Sequence, residues 1–156
     1  MPFNLVAAII AGLVSTLVIS AMMAMGPRMG MPEMDMPAML GSMFGAPPNK
    51  ALGWVMHLML GALFAIVYAL LFPVVGGNII ALGAVFGVAH WLVVGLVMGM
   101  MPMMHAGIRS GEVAEPGVYM LRQGGAMGFV GGLMGHIVYG LVVGIVYGLV
   151  AGGFAA

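Results

Sequence analysis

Two side-chain types in this sequence can do chemistry at a metal or polar centre: histidine and methionine. The 156 residues hold four histidines and 20 methionines but no cysteine. His57 lies in Gly53-x3-His57-x3-Gly61 and His136 in Gly132-x3-His136-x3-Gly140, so each imidazole projects between two bare positions of its own helix. His90 stands in the middle of an apolar run, and His105 follows Met103 and Met104 at its end. Thioether sulfur with no competing thiolate selects Cu(I), and imidazole suits copper as well. The missing cysteine removes disulfides, thiolate zinc sites, iron–sulfur clusters and cysteine nucleophiles. No acidic residue lies within an apolar run, so a Ser/His/Asp nucleophile has no visible parts.

The methionines are segregated along the chain. Apart from the initiator, none occurs from 2 to 21, from 60 to 97, or after 134. They gather in Met29-x-Met31-x2-Met34-x-Met36-x2-Met39 and in Met98-x-Met100-Met101-x-Met103-Met104, while Leu, Val, Ile and Ala fill the other apolar stretches. This points to a soft, Cu(I)-like ion held by His57, His90, His136, His105, Met56, Met98, Met101 and Met104. Two other readings use the same residues. His57 and His136, at similar depth on two helices, can be the axial ligands of haem b, with glycines leaving room for a flat macrocycle. Alternatively there is no cofactor, methionine is a flexible filler of irregular gaps, and the chain is a structural or assembly subunit.

These residues must be positioned by helices in lipid. With 63% hydrophobic and 5% charged residues, against about 25% charged in soluble domains, the chain reads as an all-α integral membrane protein. A spanning helix needs roughly 20 apolar residues, and four stretches qualify: 4–25, 50–72, 77–101 and 124–152. The first lacks the basic start and small-residue cleavage site of a signal peptide and is expected as a retained span. Pro27, Pro47, Pro48, Pro73, Pro102 and Pro116 are expected to punctuate the helices. The expected whole is a single membrane domain over 1–156, a four-helix bundle.

Internal similarity suggests two duplicated hairpins, 4–72 and 77–152. Gly53, His57, Gly61 and Tyr68 align with Gly132, His136, Gly140 and Tyr147, and Gly12, Met23 and Pro27 with Gly87, Met98 and Pro102. Corresponding spans run in the same direction, so a pseudo-two-fold along the membrane normal is expected, with His57 facing His136 across it. In the last span Gly124, Gly128, Gly132, Gly140, Gly144 and Gly148 recur every fourth residue, a pattern for close helix packing. The row drifts around the helix, because four residues overshoot a 3.6-residue turn, so no single neighbour can use all of it.

All eight charged side chains fall in the loops 26–49 and 102–123, or at Lys50 beside the first, four basic against four acidic. The positive-inside rule puts these loops in the cytoplasm. Zero net charge offers no basic surface to nucleic acid. The expected partners are the lipid bilayer and, through the glycine faces, a homo-oligomer or larger membrane complex. A short interfacial helix is expected near 37–45, started by Pro37, with Met39, Leu40, Met43 and Phe44 on one apolar face.

The segments PAMLGSMFG (37–45), GWVMHLMLG (53–61), HWLVVGLVMGMMPMMH (90–105) and GHIVYGLVVGIVYG (135–148) resemble those of small bacterial four-span membrane proteins of unknown function, loosely akin to the YagU-like inner-membrane proteins. The resemblance covers nearly the whole chain. It implies four helices in a bacterial inner membrane and supplies no activity or catalytic residue.

Overall fold

A computed structural model describes residues 2–152. Residues 1 and 153–156, the two ends of the expected 1–156 domain, lie outside the described residues. Among the described residues the structure is all-helical, without strands. Four helices are long and apolar enough to cross a membrane: α1 (Leu5–Met25), α3 (Lys50–Val75), α4 (Ile79–Met98) and α7 (Leu121–Ala151). Between them lie the short helices α2 (Met36–Gly41), α5 (Met101–Met104) and α6 (Ala106–Arg109), and 3-10 turns at Gly26–Met29 and Val118–Met120.

The helix starts follow local rules. Asn4, Asn49 and Asn78 each turn their side-chain oxygen onto a free backbone N–H of the first turn of α1, α3 and α4. The last turn of α3 departs from expectation, because Pro73 lies inside it and the helix runs on to Val75. Its end is set instead by Gly76, whose φ of 73° a side chain would resist.

Glycine decides which helices touch. Gly12 of α1 sits on the backbone of Gly61 and Ala62 in α3, while Gly83 and Gly87 of α4 sit on Gly140 and His136 of α7. α1 also packs along α7, whereas α3 and α4, though consecutive, barely meet through backbone. Aromatic rings fill that seam: Tyr68 and Phe72 of α3 lie 5.4 and 5.7 Å from Phe86 of α4. The bundle is therefore tight around α1 and α7 and spaced by side chains between α3 and α4.

The glycine row of α7 divides among neighbours. Gly140 and Gly144 meet the α4 backbone, Gly132 meets the Trp91 ring, and Gly124 meets Pro32 of the first loop. The two hairpins also pair in different registers. Gly12 lies against Gly61–Ala62, but its counterpart Gly87 lies against His136–Ile137, whose counterparts are His57–Leu58. That is a slip of one turn, about 6 Å at 1.5 Å per residue.

The charged loops fold into a cap. α2 spans only Met36–Gly41, shorter than the expected 37–45, and is docked rather than free: Ala38, Met39, Leu40 and Gly41 are buried. Gly53 of α3 leaves no space for a Cβ beside the Pro37 carbonyl, so α2 lies directly on α3. Gly107 in α6 donates its N–H to the Ser42 carbonyl at 3.1 Å and ties the second loop to the first.

Candidate functional site

Methionines from both loops and from the end of α4 converge under this cap. Met39, Met98, Met101 and Met120 are buried together with Trp91 and Ile108, and Met34 and Met36 pack against them. Each arrives by a different local device. Asp35 caps α2 by accepting the Ala38 N–H at 2.8 Å, which turns Met39 inward. Met98 is the last residue of α4, and Met101 opens α5 with Pro102 in its first turn. Met120 is delivered by a left-handed backbone, φ 60°, directly after Tyr119 at φ 51°.

Of the expected methionine ligands, Met98 and Met101 belong to this cluster, Met104 is 43% exposed, and Met56 is outside it on α3. The residues that sequence reasoning did not select are Met34, Met36, Met39 and Met120. The dense 29–39 run signalled the first three. No local feature signalled Met120, because only tertiary contacts hold its backbone in that conformation.

The cluster continues into the bundle through Trp91. Its fully buried indole lies 5.1 Å, ring to ring, from His136, and His136 lies 4.7 Å from His90, edge to face. His136 Nδ1 donates to the Gly132 carbonyl at 2.8 Å; a carbonyl only accepts, so Nδ1 carries the proton and Nε2 of the neutral ring is a lone pair. His90 Nδ1 pairs with the Tyr68 hydroxyl at 3.3 Å, and its ring rests on Phe64. Tyr139 stands beside both and donates to the Gly61 carbonyl.

His57 is elsewhere. Its Nε2 pairs at 3.1 Å with the Ser20 hydroxyl of α1, and that hydroxyl donates its one proton to the Thr16 carbonyl at 2.7 Å. Ser20 must then accept, and His57 Nε2 carries the proton. The expected face-to-face pair of His57 and His136 is thus replaced by His90 and His136. Each histidine packs on the partner helix of its own hairpin: His57 meets the polar residues of α1, while His136 meets the α4 face that carries His90 and Trp91. The axial pair of the haem alternative, His57 and His136, accordingly lies on two different seams.

His105 is 1% exposed at the junction of α5 and α6. Its Nδ1 bonds the Met101 carbonyl at 3.1 Å, and its Nε2 is buried without a partner. Outside the cluster, a cavity of about 470 Å³ opens between the loops, with Met34 and Met39 on its wall beside Glu33, Asp35, Lys50 and Glu112. Lys50 holds Asp35 at 2.6 Å. Partial burial alone would raise the Asp35 carboxyl, but the hydrogen bonds from Lys50 and the Ala38 N–H outweigh it and hold the group below its ordinary range. Asp35 in turn raises Lys50 through the hydrogen bond and its charge. Glu115 is paired with Arg122 at 2.6 Å. Among the described residues Glu33 and Glu112 make no ion pair, which leaves the mouth of this cavity negative.

Fold and site together define a bundle of four apolar helices that carries thioether and imidazole side chains toward one end, beneath a folded loop cap. The chain belongs to a family of unknown function (DUF6789), whose model matches residues 3–154. This fits the uncharacterised family expected from the four segments quoted above, and the match carries neither a YagU-like relationship nor a bacterial source. No curated protein and no solved structure matches the chain.

Proposed function

We propose that this is an integral membrane protein that binds or moves a soft monovalent cation of the Cu(I) type through its methionine–histidine cluster. The observation that carries the reading is the convergence of Met39, Met98, Met101 and Met120 from three separate segments into one buried group. Simple apolar packing does not need sulfur at every entrance to a core, whereas a soft ion does. The contiguity of this group with Trp91, His136 and His90 supports a route from the loop side into the bundle. Metal-binding histidines commonly donate the second ring N–H to a backbone carbonyl, which fixes the tautomer and frees the other nitrogen. His136 is held in that way by Gly132.

In this reading the four long helices span a bacterial inner membrane, the two halves descend from one hairpin, and the charged loops face the cytoplasm. The one-turn slip is then a divergence between the copies. The test is elemental analysis of protein purified from copper-supplemented cells, with an optical spectrum of the same sample. At least one copper per chain in a colourless protein is expected. An intense Soret band would replace the proposal with the haem reading. A sample with neither signal, and no heat on titration with Ag(I), would leave a packing or assembly subunit.

A further inference from the structure

We infer that His105 Nε2 is the nitrogen donor of a soft-cation loading site beneath the loop cap, outside the spans and separate from the His90–His136 pair. The inference rests on the soft-metal reading above and assigns its first station. The ring is 1% exposed, and its Nδ1 faces the Met101 carbonyl at 3.1 Å. With Nδ1 donating, a neutral ring presents a bare lone pair at Nε2. Among the described residues, this atom and Trp91 Nε1 are the two buried side-chain polar atoms without a hydrogen-bond partner. A buried polar atom left unpaired is destabilising, and a bound cation removes that cost.

The surroundings suit a soft monovalent ion. Met101, four residues before His105, and Ile108, three after it, both belong to the buried methionine cluster. The stretch from Met101 to Arg109 carries no carboxylate, so neutral thioether and imidazole donors would meet the ion, which disfavours a hard divalent cation. Arg109 is turned outward onto the carbonyls of Pro102 and Met103. The ring is also fixed in place. The His105 N–H bonds the Met101 carbonyl at 2.8 Å, and the neighbouring Gly107 N–H bonds Ser42 at 3.1 Å. The cavity walled by Met34 and Met39 gives a solvent-side approach to the same cluster, with Glu33 and Glu112 at its mouth.

The test uses the full chain in lipid nanodiscs, with Ag(I) as a redox-stable probe and 15N-labelled histidine. On adding one equivalent of Ag(I), the His105 Nε2 resonance should move upfield by tens of ppm before any other histidine nitrogen responds. His105→Leu should weaken Ag(I) binding at least tenfold, while His57→Leu should leave it unchanged. If the parent binds no Ag(I), the soft-metal reading itself fails. If the parent binds Ag(I) but its first equivalent shifts the His90 or His136 nitrogens and leaves His105 unmoved, the loading site is overturned and the broader reading stands. The resonance in the parent protein decides the matter even if His105→Leu does not fold.

Discussion

Met120 reaches the cluster from a backbone that few non-glycine residues adopt, and Tyr119 before it does the same. Conformations of this kind cost of order 1–3 kcal/mol each. They are held by contacts on both residues: Tyr119 donates its hydroxyl to the Leu92 carbonyl at 3.0 Å and lies on Gly95, and Met120 is buried among the other methionines. What the sulfur contributes can be separated from what the volume contributes. Leucine replaces methionine at nearly constant volume, usually for less than about 1.5 kcal/mol. The triple variant Met98→Leu, Met101→Leu, Met120→Leu should therefore keep its helical circular dichroism and most of its thermal stability. Its Ag(I) affinity by calorimetry should fall at least tenfold, and an affinity equal to the parent's would show that the methionines only fill space.

Among the helices, glycine contact and ion pairing act at different strengths. A Cβ at Gly140 would collide with the Gly83 backbone, which no rotamer change can relieve, whereas nothing stands within 4 Å of a Cβ at Gly135. Gly140→Ala should lower stability by about 1–3 kcal/mol or more through overpacking. Gly135→Ala should be neutral or raise it by up to about 1 kcal/mol, the difference in helix propensity. Equal effects of the two in a denaturant titration in mixed micelles would contradict the α4–α7 seam. The α2 docking has an electrostatic component with a definite sign. Because the Asp35 carboxyl is depressed below 3.8 in the folded protein, its contribution is complete above that value and is lost as pH falls through the lower, folded pKa. Hydrogen exchange at Ala38 and Met39 should thus accelerate below about pH 4, beyond its intrinsic pH dependence. Asp35→Asn keeps the cap oxygen and should cost only a few tenths of a kcal/mol, since exposed ion pairs contribute about 0–1. Asp35→Ala removes the cap as well and should cost about 1 kcal/mol. Similar losses for both variants would mean that the cap, not the charge, is dispensable.

For the whole molecule, the two long helices α3 and α4 that separate them put both charged loops at one end and the Gly76–Asn78 turn at the other. The absence of native cysteine makes this simple to test in the membrane. With the loops in the cytoplasm, Ser110→Cys should react with an impermeant maleimide only after the vesicles are opened or inverted. Gly77→Cys should react in intact, right-side-out vesicles. Labelling of both from the same side would refute the four-span topology, and the reverse pattern would invert the orientation alone.

Composition and hydropathy by themselves determined four apolar helices, the loops between them and the one-sided methionines, because these follow from properties summed over about 20 residues. The helix starts are set locally in the structure, where an asparagine satisfies the first turn of α1, α3 and α4. Contacts between helices were a different matter. Glycine spacing announced close packing but not the partner of each glycine, since a bare position accepts any backbone that reaches it. The one-turn slip between hairpins follows from how all four helices fit at once, and the seam that each histidine enters decided that His136 meets His90 while His57 meets Ser20. The same holds for His105 and Met120. Their types and neighbours were plain in the sequence, but a buried nitrogen without a partner and a left-handed methionine exist only where distant segments close around them.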